Sequence, residues 1–486
     1  YMPFEGLDSN GMAVGFDVDV GYAIAEELAA HYTGAANPDL STTLVTGCMD
    51  PAAENYNADA TADGEACVIM GCTNEDAQNY DSHANTDDGS CITTMKIGLL
   101  NPLTGPIAVY APPFTWAAQA AIDDLNALGG DFELIEADSG CSGDVAGPAA
   151  QSLVDAGVIG VAGAACSGAS MAANAVLSEA GVVQVSYAST NPGLSSASDY
   201  PGFWRVVPSD AIQGPAMADM VATAGMLAGM SPTDMNPALI HMTNDYGSGL
   251  ADAFEGAWDE ISADGVCLKI GYEDTTTDFS SQVQAISDAG CGSVVMVSYS
   301  TDGAAIVETM AVLGMSLPTF GADGIADAAW LTDFTVPAAA HGVIATKPRA
   351  GSSFGDFNDR CADDEGCAGG IYTAETYDAV MMIGLAAMME GGDHTELHLW
   401  MVGDEYLGAS GTHTFLENGD VGGAGYDICG FAALSSSDIY FNCMFYWTAT
   451  GGVQETPFVG MTVPIGFLNP LTGPIAVYAP GFTAAA

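Results

Sequence analysis

The chain has 486 residues, with 62 Asp and Glu against 6 Lys and Arg and a formal net charge of −56 at pH 7. A surface of that sign repels nucleic acid and anionic lipid head groups, which excludes both as partners. Charged residues make up 14% of the chain, below the ~25% of average proteins, so cations are depleted rather than acids enriched; such a surface stays soluble where salt screens it, as in a marine or halophilic habitat.

No stretch of about 20 apolar residues lacks a charge, Gly or Pro, so no membrane span is expected in this sequence. The 12 Cys lack C-x-x-C zinc spacings. They point to disulfides in an oxidising compartment, whether extracellular, periplasmic or at the cell surface.

In chain order, YMPFEGLDSNGMAVGFDVDVGYAIAEELAAH (1–31) reads as a strand, a turn at Asn10-Gly11, a short strand and an amphipathic helix. Its Y-x-PFE…GFDVD…AIAEEL form resembles the opening of the solute-binding proteins for polar amino acids, over too short a stretch to build a site. Residues 32–46 are a polar linker. GCMDPAAENYNADATADGEAC (47–67) then aligns with GCTNEDAQNYDSHANTDDGSC (71–91). Each unit has almost no apolar core, so a disulfide must replace burial, which pairs Cys48 with Cys67 and Cys72 with Cys91. These units resemble the DDGSC-type cysteine repeats of modular secreted microbial proteins. Asp59, Asp63 and Glu65, and Asp81, Asp87 and Asp88, offer oxygen ligands for calcium; they miss the EF-hand spacing, and a solvated spacer is the alternative.

The main segment opens with IGLLNPLTGPIAVYAPPFTWAA (97–118), which returns as IGFLNPLTGPIAVYAPGFTAAA (465–486) with 19 of 22 positions identical, 368 residues on. The expectation is one whole module from about Lys96 to Met461, then the start of a second copy at 464–486, in a window on a longer chain. A module of about 370 residues exceeds one compact core and calls for two lobes. Strands are expected at Lys96–Leu100, Phe132–Ala137, Val158–Gly163, Val182–Tyr187, Ala238–Met242, Val266–Tyr272, Ser293–Tyr299 and Leu317–Gly321. Helices alternate with them at Phe114–Leu128, Ala146–Ala156, Ala169–Ala180, Gln213–Leu227, Leu250–Ala263, Phe279–Asp288 and Gly303–Leu313. Such alternation means βαβ units, hence an α/β fold with parallel sheets. After His341–Thr346 a polar, cysteine-bearing loop leads to a long helix at Ile371–Met389, and Tyr426–Leu434 with Tyr440–Thr448 reads as a hairpin.

No GxSxG elbow, Walker A loop, GxGxxG turn or HExxH motif is present, and nothing supports a nucleophile with its base, so no enzyme is expected. His394 and His398 lie four apart, but Glu396 points away from both and an exposed helix end is the plainer reading. The strongest site signal is the strand Val158–Gly163 running through Ala164-Ala165-Cys166-Ser167-Gly168 into a helix. A helix start among small residues leaves free N–H groups and a positive dipole end for a carboxylate. The next strand ends in Ser186-Tyr187-Ala188-Ser189-Thr190-Asn191-Pro192, a second hydroxyl-rich turn at the same sheet edge, where ligands of open α/β sheets collect. Ordinary helix caps would leave the same pattern.

LTGPIAVYAPPFTWAAQAAIDDLNALGG, ACSGAS, SYASTNPGL, FWRVVPSD, NDYGSG, LPTFGADG and YTAETYDAV occur in this order, together with Cys141 and Cys166. Over 96–448 the chain thereby resembles the class 1 periplasmic solute-binding proteins for branched-chain amino acids, the leucine/isoleucine/valine family. The resemblance implies two Rossmann-like lobes joined by three crossovers, closing on a ligand as a hinged clamp. Lobe 1 is expected at 96–210 and 350–425, and lobe 2 at 211–349 and 426–463. It implies a ligand carboxylate held at Ser167 and Thr190, and an ammonium met by groups at Ala188, Ser189 and Thr190 and by Asp323. Tyr110, Tyr246 and Tyr299 then line the cleft, with no cofactor. Further disulfides are expected at Cys141–Cys166, Cys267–Cys291, Cys361–Cys367 and Cys429–Cys443. The module's cations are Arg205, Arg349, Arg360, Lys96, Lys269 and Lys347, with no clamp for a second carboxylate, which favours a neutral amino acid. The implied role is extracytoplasmic capture for delivery to an ABC permease; a ligand-sensing or adhesive ectodomain is the alternative.

Overall fold

The computed structural model describes residues 5–7, 13–15, 45–64, 66–74, 77, 80–90, 94–350, 354–364, 366–367, 370–389, 405–435 and 438–456. The helix read within 1–31, nearly all of the 32–46 linker, Glu65, the Asp63 side chain, His394, His398 and the 464–486 repeat lie outside them. So does Cys91, and with it the Cys72–Cys91 pairing. The chain divides into two units, Tyr1–Cys91 and Ile92–Ala486.

In the first unit Glu5–Leu7 pairs antiparallel with Ala13–Gly15. The two cysteine units repeat one another: Thr46–Gly47 pairs parallel with Ala62–Asp63, and Met70–Gly71 with Thr86–Asp87. Each core is a half-cystine and one alanine, Cys48 with Ala53 and Cys72 with Ala77, and Cys48 is bonded to Cys67. Backbone donors find side-chain partners: Asn55 accepts from Val68 N at 2.8 Å, and Asn85 accepts from Ile69 N at 3.1 Å. Three of the acids considered for calcium cap turns, Asp81 taking His83 N at 2.8 Å, Asp87 taking Gly89 N at 3.0 Å and Asp88 taking Ser90 N at 2.8 Å. Among the described residues no group of three or more His, Cys, Asp or Glu gathers to hold a metal.

In the second unit β1 (Met95–Asn101), β2 (Phe132–Asp138), β3 (Val158–Gly163), β4 (Val183–Ser186) and β5 (Phe203–Arg205) form a parallel sheet in the order β5-β4-β3-β1-β2. β3 is buried at every position because helices cover both sheet faces. The helices of this part are α1 (Ala111–Ala127), α2 (Gly143–Asp155) and α3 (Ser167–Glu179). A second sheet runs β7-β6-β8-β9-β10-β11-β12-β13, from β6 (Pro237–Met242), β7 (Leu268–Tyr272), β8 (Ser293–Val297), β9 (Thr319–Gly321), β10 (Ile344–Pro348), β11 (Tyr426–Ser435), β12 (Asp438–Thr448) and β13 (Gly452–Glu455). Its pairings are parallel through β10 and antiparallel beyond. With it go α4 (Asp210–Ala228), α5 (Asp245–Ile261), α6 (Ser280–Ala289) and α7 (Ser300–Val312).

The chain crosses between sheets three times. It leaves β5 for α4, returns after β10 to α8 (Phe354–Ala362) and α9 (Thr373–Met389), and crosses again into β11. α9 packs on α1 and β3, at a point where a Cβ on Gly384 would strike the Leu125 side chain. This is a two-lobed, type 1 periplasmic-binding-protein architecture. All five disulfides within the described residues join the expected partners: Cys48–Cys67, Cys141–Cys166, Cys267–Cys291, Cys361–Cys367 and Cys429–Cys443.

Helices begin earlier than periodicity indicates: α2, α4 and α5 start at Gly143, Asp210 and Asp245 rather than at Ala146, Gln213 and Leu250. Their first turns are polar and are set by caps, with Ser142, Ser209 and Asn244 accepting the N–H groups of Asp144, Ala211 and Gly247. The segment read as a polar loop contains α8, which buries Phe357 and the Cys361–Cys367 bridge against Ala117.

Candidate ligand-binding site

The carboxyl ends of both sheets face one cavity of about 40 Å³. From the first lobe it is lined by Ile107, Tyr110, Phe114, Ala165, Ser167 and Ala188, with Ile371 and Tyr372 ahead of α9; from the second come Tyr246, Tyr299, Asp323 and Gly324.

The floor on the first side follows from one strand–turn–helix unit. β3 stops at Gly163, and α3 starts at Ser167 after an extended Cys166 that makes no side-chain cap. The positive end of α3 is therefore open towards the cavity. Ser167 is 2% exposed, and its Oγ accepts from Asn191 N at 3.2 Å, leaving the hydroxyl proton for another acceptor. The Cys141–Cys166 bridge holds this turn.

Asp323 follows β9 on the opposite side and is 3% exposed. Its carboxylate accepts from Tyr246 Oη at 2.9 Å and from Tyr372 Oη at 2.6 Å. Tyr372 holds φ at 64°, a left-handed backbone that a bulky residue seldom adopts and that surrounding contacts must enforce. It carries a first-lobe hydroxyl to a second-lobe acid. Burial pushes the Asp323 carboxyl above its ordinary value, against the downward pull of the Tyr372 and Tyr246 hydroxyls. Burial, followed by neighbouring carboxylates, holds the Tyr246, Tyr299 and Tyr372 hydroxyls protonated. Tyr246 stacks on Tyr299 with ring centroids 5.2 Å apart.

Among the described residues no Lys or Arg lines the cavity. Arg205, fully buried nearby, is committed elsewhere: Nε and Nη2 reach Asp420 at 2.7 Å, Nη2 reaches Ser195 Oγ at 2.7 Å, and Nη1 donates to the Ser189 and Asn191 carbonyls at 3.3 and 2.9 Å.

Of the residues singled out from sequence, Tyr110, Ser167, Ala188, Tyr246, Tyr299 and Asp323 share this cavity, and Ser189 and Thr190 do not line it. The Ser189 hydroxyl turns inward to the Ala164 and Ala165 carbonyls, at 3.0 and 3.2 Å, and to Ser170 Oγ at 2.8 Å. Thr190 is fully buried with its hydroxyl beside Asp210, outside hydrogen-bond geometry. Both sit on a turn whose alternate side chains point into the lobe. Tyr372 was missed as a site residue, although it opens the YTAETYDAV stretch ahead of a helix.

Ser410, His413 and Asp378 also meet, with Ser410 Oγ 2.8 Å from His413 Nε2 and that nitrogen 3.2 Å from Asp378 Oδ2. Both contacts use the same ring nitrogen, and Ser410 Oγ donates straight to Asp378 at 2.5 Å, so no base is aligned to activate the hydroxyl. The trio pins the hairpin of Glu405–Leu407 and Thr412–Thr414 to α9.

A family model described as periplasmic binding protein matches residues 94–399. The Leu/Ile/Val-binding protein homolog 3 of Brucella melitensis biotype 1 is 30% identical over 240 residues, 48% of this chain and 62% of that protein. The leucine-, isoleucine-, valine-, threonine- and alanine-binding protein of Pseudomonas aeruginosa is 26% identical over 263 residues, 53% of this chain and 67% of that one. Among solved structures, the leucine binding protein LivK of Thermotoga maritima superposes with a TM-score of 0.62 at 22% identity, covering 72% of this chain and 98% of that one. LivJ of Streptococcus pneumoniae, solved with isoleucine, gives a TM-score of 0.60 at 20% identity over 72% of this chain and 99% of that one. The family match, the two-lobed topology and the cavity at the strand ends agree: the chain belongs to the periplasmic binding protein family.

Proposed function

We propose that the second unit captures one small, neutral amino acid by closing its lobes on it, outside the cytoplasm, for delivery to an ABC permease. The observation that carries this reading is a single cavity with the open start of α3 and Ser167 on one side and Asp323 on the other. A zwitterion needs those two features an amino-acid backbone apart: N–H and O–H donors for its carboxylate, and a buried carboxylate for its ammonium. Ile107, Phe114 and Ile371 supply apolar wall, and Tyr110, Tyr246 and Tyr299 exclude water from the ion pair. The lack of Lys or Arg among the described residues that line the cavity favours an aliphatic side chain over an acidic one. Relatives named for leucine, isoleucine, valine, threonine and alanine support the class. The disulfides support an extracytoplasmic setting.

Thermal unfolding of the chain against the twenty free amino acids tests the reading. A neutral aliphatic ligand at ~100 Kd should stabilise by about 2.7 kcal/mol, while glutamate should leave the midpoint unmoved. A flat response to all twenty would overturn it. The tandem cysteine units and the sequence repeat at 465–486 favour a second reading, a sensing or adhesive ectodomain; a signalling module in the full-length chain would decide for it, and an adjoining permease and ATPase gene pair for transport.

A further inference from the structure

The two lobes also touch outside the ligand cavity. Asn191, on the turn after β4, and Asp245 and Gly249, in the first two turns of α5, line a separate groove of about 930 Å³; none of the three lines the 40 Å³ cavity. Asn191 is buried and every polar group on it is engaged. Its N–H donates to Ser167 Oγ at 3.2 Å, its carbonyl accepts from Arg205 Nη1 at 2.9 Å, and its Oδ1 accepts from Gly193 N at 2.6 Å. Those three bonds stay within the first lobe and fix the amide. The fourth crosses to the second lobe, with Nδ2 donating to the Asp245 carbonyl.

Two glycines let the lobes come this near. A Cβ on Gly249 would strike the Asn191 amide and lie 3.0 Å from the Pro192 ring. A Cβ on Gly168, in the first turn of α3, would lie 2.6 Å from Asp245 Oδ2. Both sit inside helices, where Gly is markedly less favourable than Ala, and close approach of the opposite lobe accounts for its use at these places. The contact also joins the two sides of the ligand site. Asn191 holds Ser167, and Asp245 precedes Tyr246, whose hydroxyl donates to Asp323 at 2.9 Å.

We propose that Asn191, fixed by the first lobe and seated over Gly249 against the Asp245 carbonyl, is a latch that biases the cleft towards closure whatever the ligand. The crossing bond exists only while the lobes are together, so its free energy falls on the closed state alone and raises the closed population before anything binds. Asn191 is a positioning residue: it sets the spacing of Ser167 and Asp323 without meeting the ligand. Affinity scales with the population of the competent state, and the net worth of one hydrogen bond makes the latch a roughly two- to tenfold effect on affinity. That effect rests on the amino-acid reading above; the latch itself does not.

Amide hydrogen exchange of the full chain, without ligand, tests the latch. Gly249→Ala favours the helix but blocks the Asn191 seat; exchange should quicken at both helix starts, 164–172 and 244–250. Asn191→Asp keeps the acceptor for Gly193 N and turns the crossing donor into an anion facing the Asp245 carbonyl, and should quicken the same segments further. Parental exchange there in both variants overturns the latch. A Cβ on Gly249 would lie 3.0 Å from Asn191 Cγ, the place a cysteine sulfur takes. Asn191→Cys combined with Gly249→Cys should therefore give a 191–249 cross-link on mild oxidation, and its absence overturns the contact even where the other variants misfold. Calorimetry with the twenty amino acids should show affinity for the bound one lowered roughly two- to tenfold in Gly249→Ala and more in Asn191→Asp; parental affinity in both overturns the coupling to the ligand. Should no amino acid bind the parent, the amino-acid reading falls, and exchange and cross-linking alone decide the latch.

Discussion

On its first-lobe side the cavity meets neutral dipoles, the Ser167 hydroxyl and the N–H groups that open α3; on the second it meets a carboxyl, Asp323, held by two tyrosine hydroxyls. Dipoles built on the edge of a rigid sheet are already aimed when the cleft is open, and they cost little to keep in water. A charge behaves differently, since its pairing strengthens steeply only once closure removes solvent. On the function proposed above, the first lobe receives the ligand and the second responds to it, so that a ligand lacking the ammonium shifts the lobes less.

Five variants break or sharpen this contrast. The largest effect belongs to the charge: Asp323→Ala should keep the fold and weaken amino-acid binding by about 2–5 kcal/mol, the usual cost of unpairing a buried charge. Calorimetry showing parental affinity would remove Asp323 from the ammonium role. Next come two disulfides of nearly equal span, Cys141–Cys166 at 25 residues in the first lobe and Cys267–Cys291 at 24 in the second. Loop entropy alone assigns each about 3 kcal/mol of stability. Only the first adjoins the cavity, because Cys166 precedes α3 whereas Cys267 and Cys291 precede the amino ends of β7 and β8. Double Cys→Ala variants should thus lose similar stability in denaturant titrations, with ligand affinity reduced in the first alone. Ser167→Ala removes one neutral hydroxyl and should cost ~0.5–1.5 kcal/mol of binding, well short of the Asp323 effect. A loss as large as that of Asp323 would mean the two sides do not differ in kind.

The last effect concerns pH. Burial pushes Asp302, behind Tyr299, up to about 7, against a hydrogen bond from Tyr272, though part of its side chain stays exposed. A carboxyl raised on folding binds more protons in the native state. Its stability contribution is complete below the unfolded value near ~3.9 and falls as pH rises towards 7. Asp302→Asn should therefore gain stability relative to the parent between pH 5 and pH 8. Urea midpoints that keep the same difference at both pH values would refute it.

Much of this molecule was legible in its sequence because central parallel strands such as Val158–Gly163 are uninterrupted apolar runs. Polar first turns were not, since Ser142, Ser209 and Asn244 act through single cap bonds that leave no periodicity. β5 and β13, at three and four residues, are too short to carry a pattern and exist through their neighbours. At the site, Ser167 could be placed from strand-end logic and Asp323 from the family resemblance. Tyr372 could not, because it acts through a contact 49 residues away. Thr190 shows the limit of a turn motif: hydroxyl content does not fix which side chains of a turn face outward.

The order of strands also matters to the chain as it leaves the ribosome. The first sheet is encoded without interruption by Met95–Arg205, yet the helix that covers it, Thr373–Met389, emerges far later. The second sheet waits longer still, for Tyr426–Glu455 to supply its last three strands. Neither lobe can mature while its own half of the message is being read, and each carries exposed apolar surface until those later segments emerge. Long-range pairing of this kind is slow. The two lobes therefore mature together, each completed by chain that follows the other's strands.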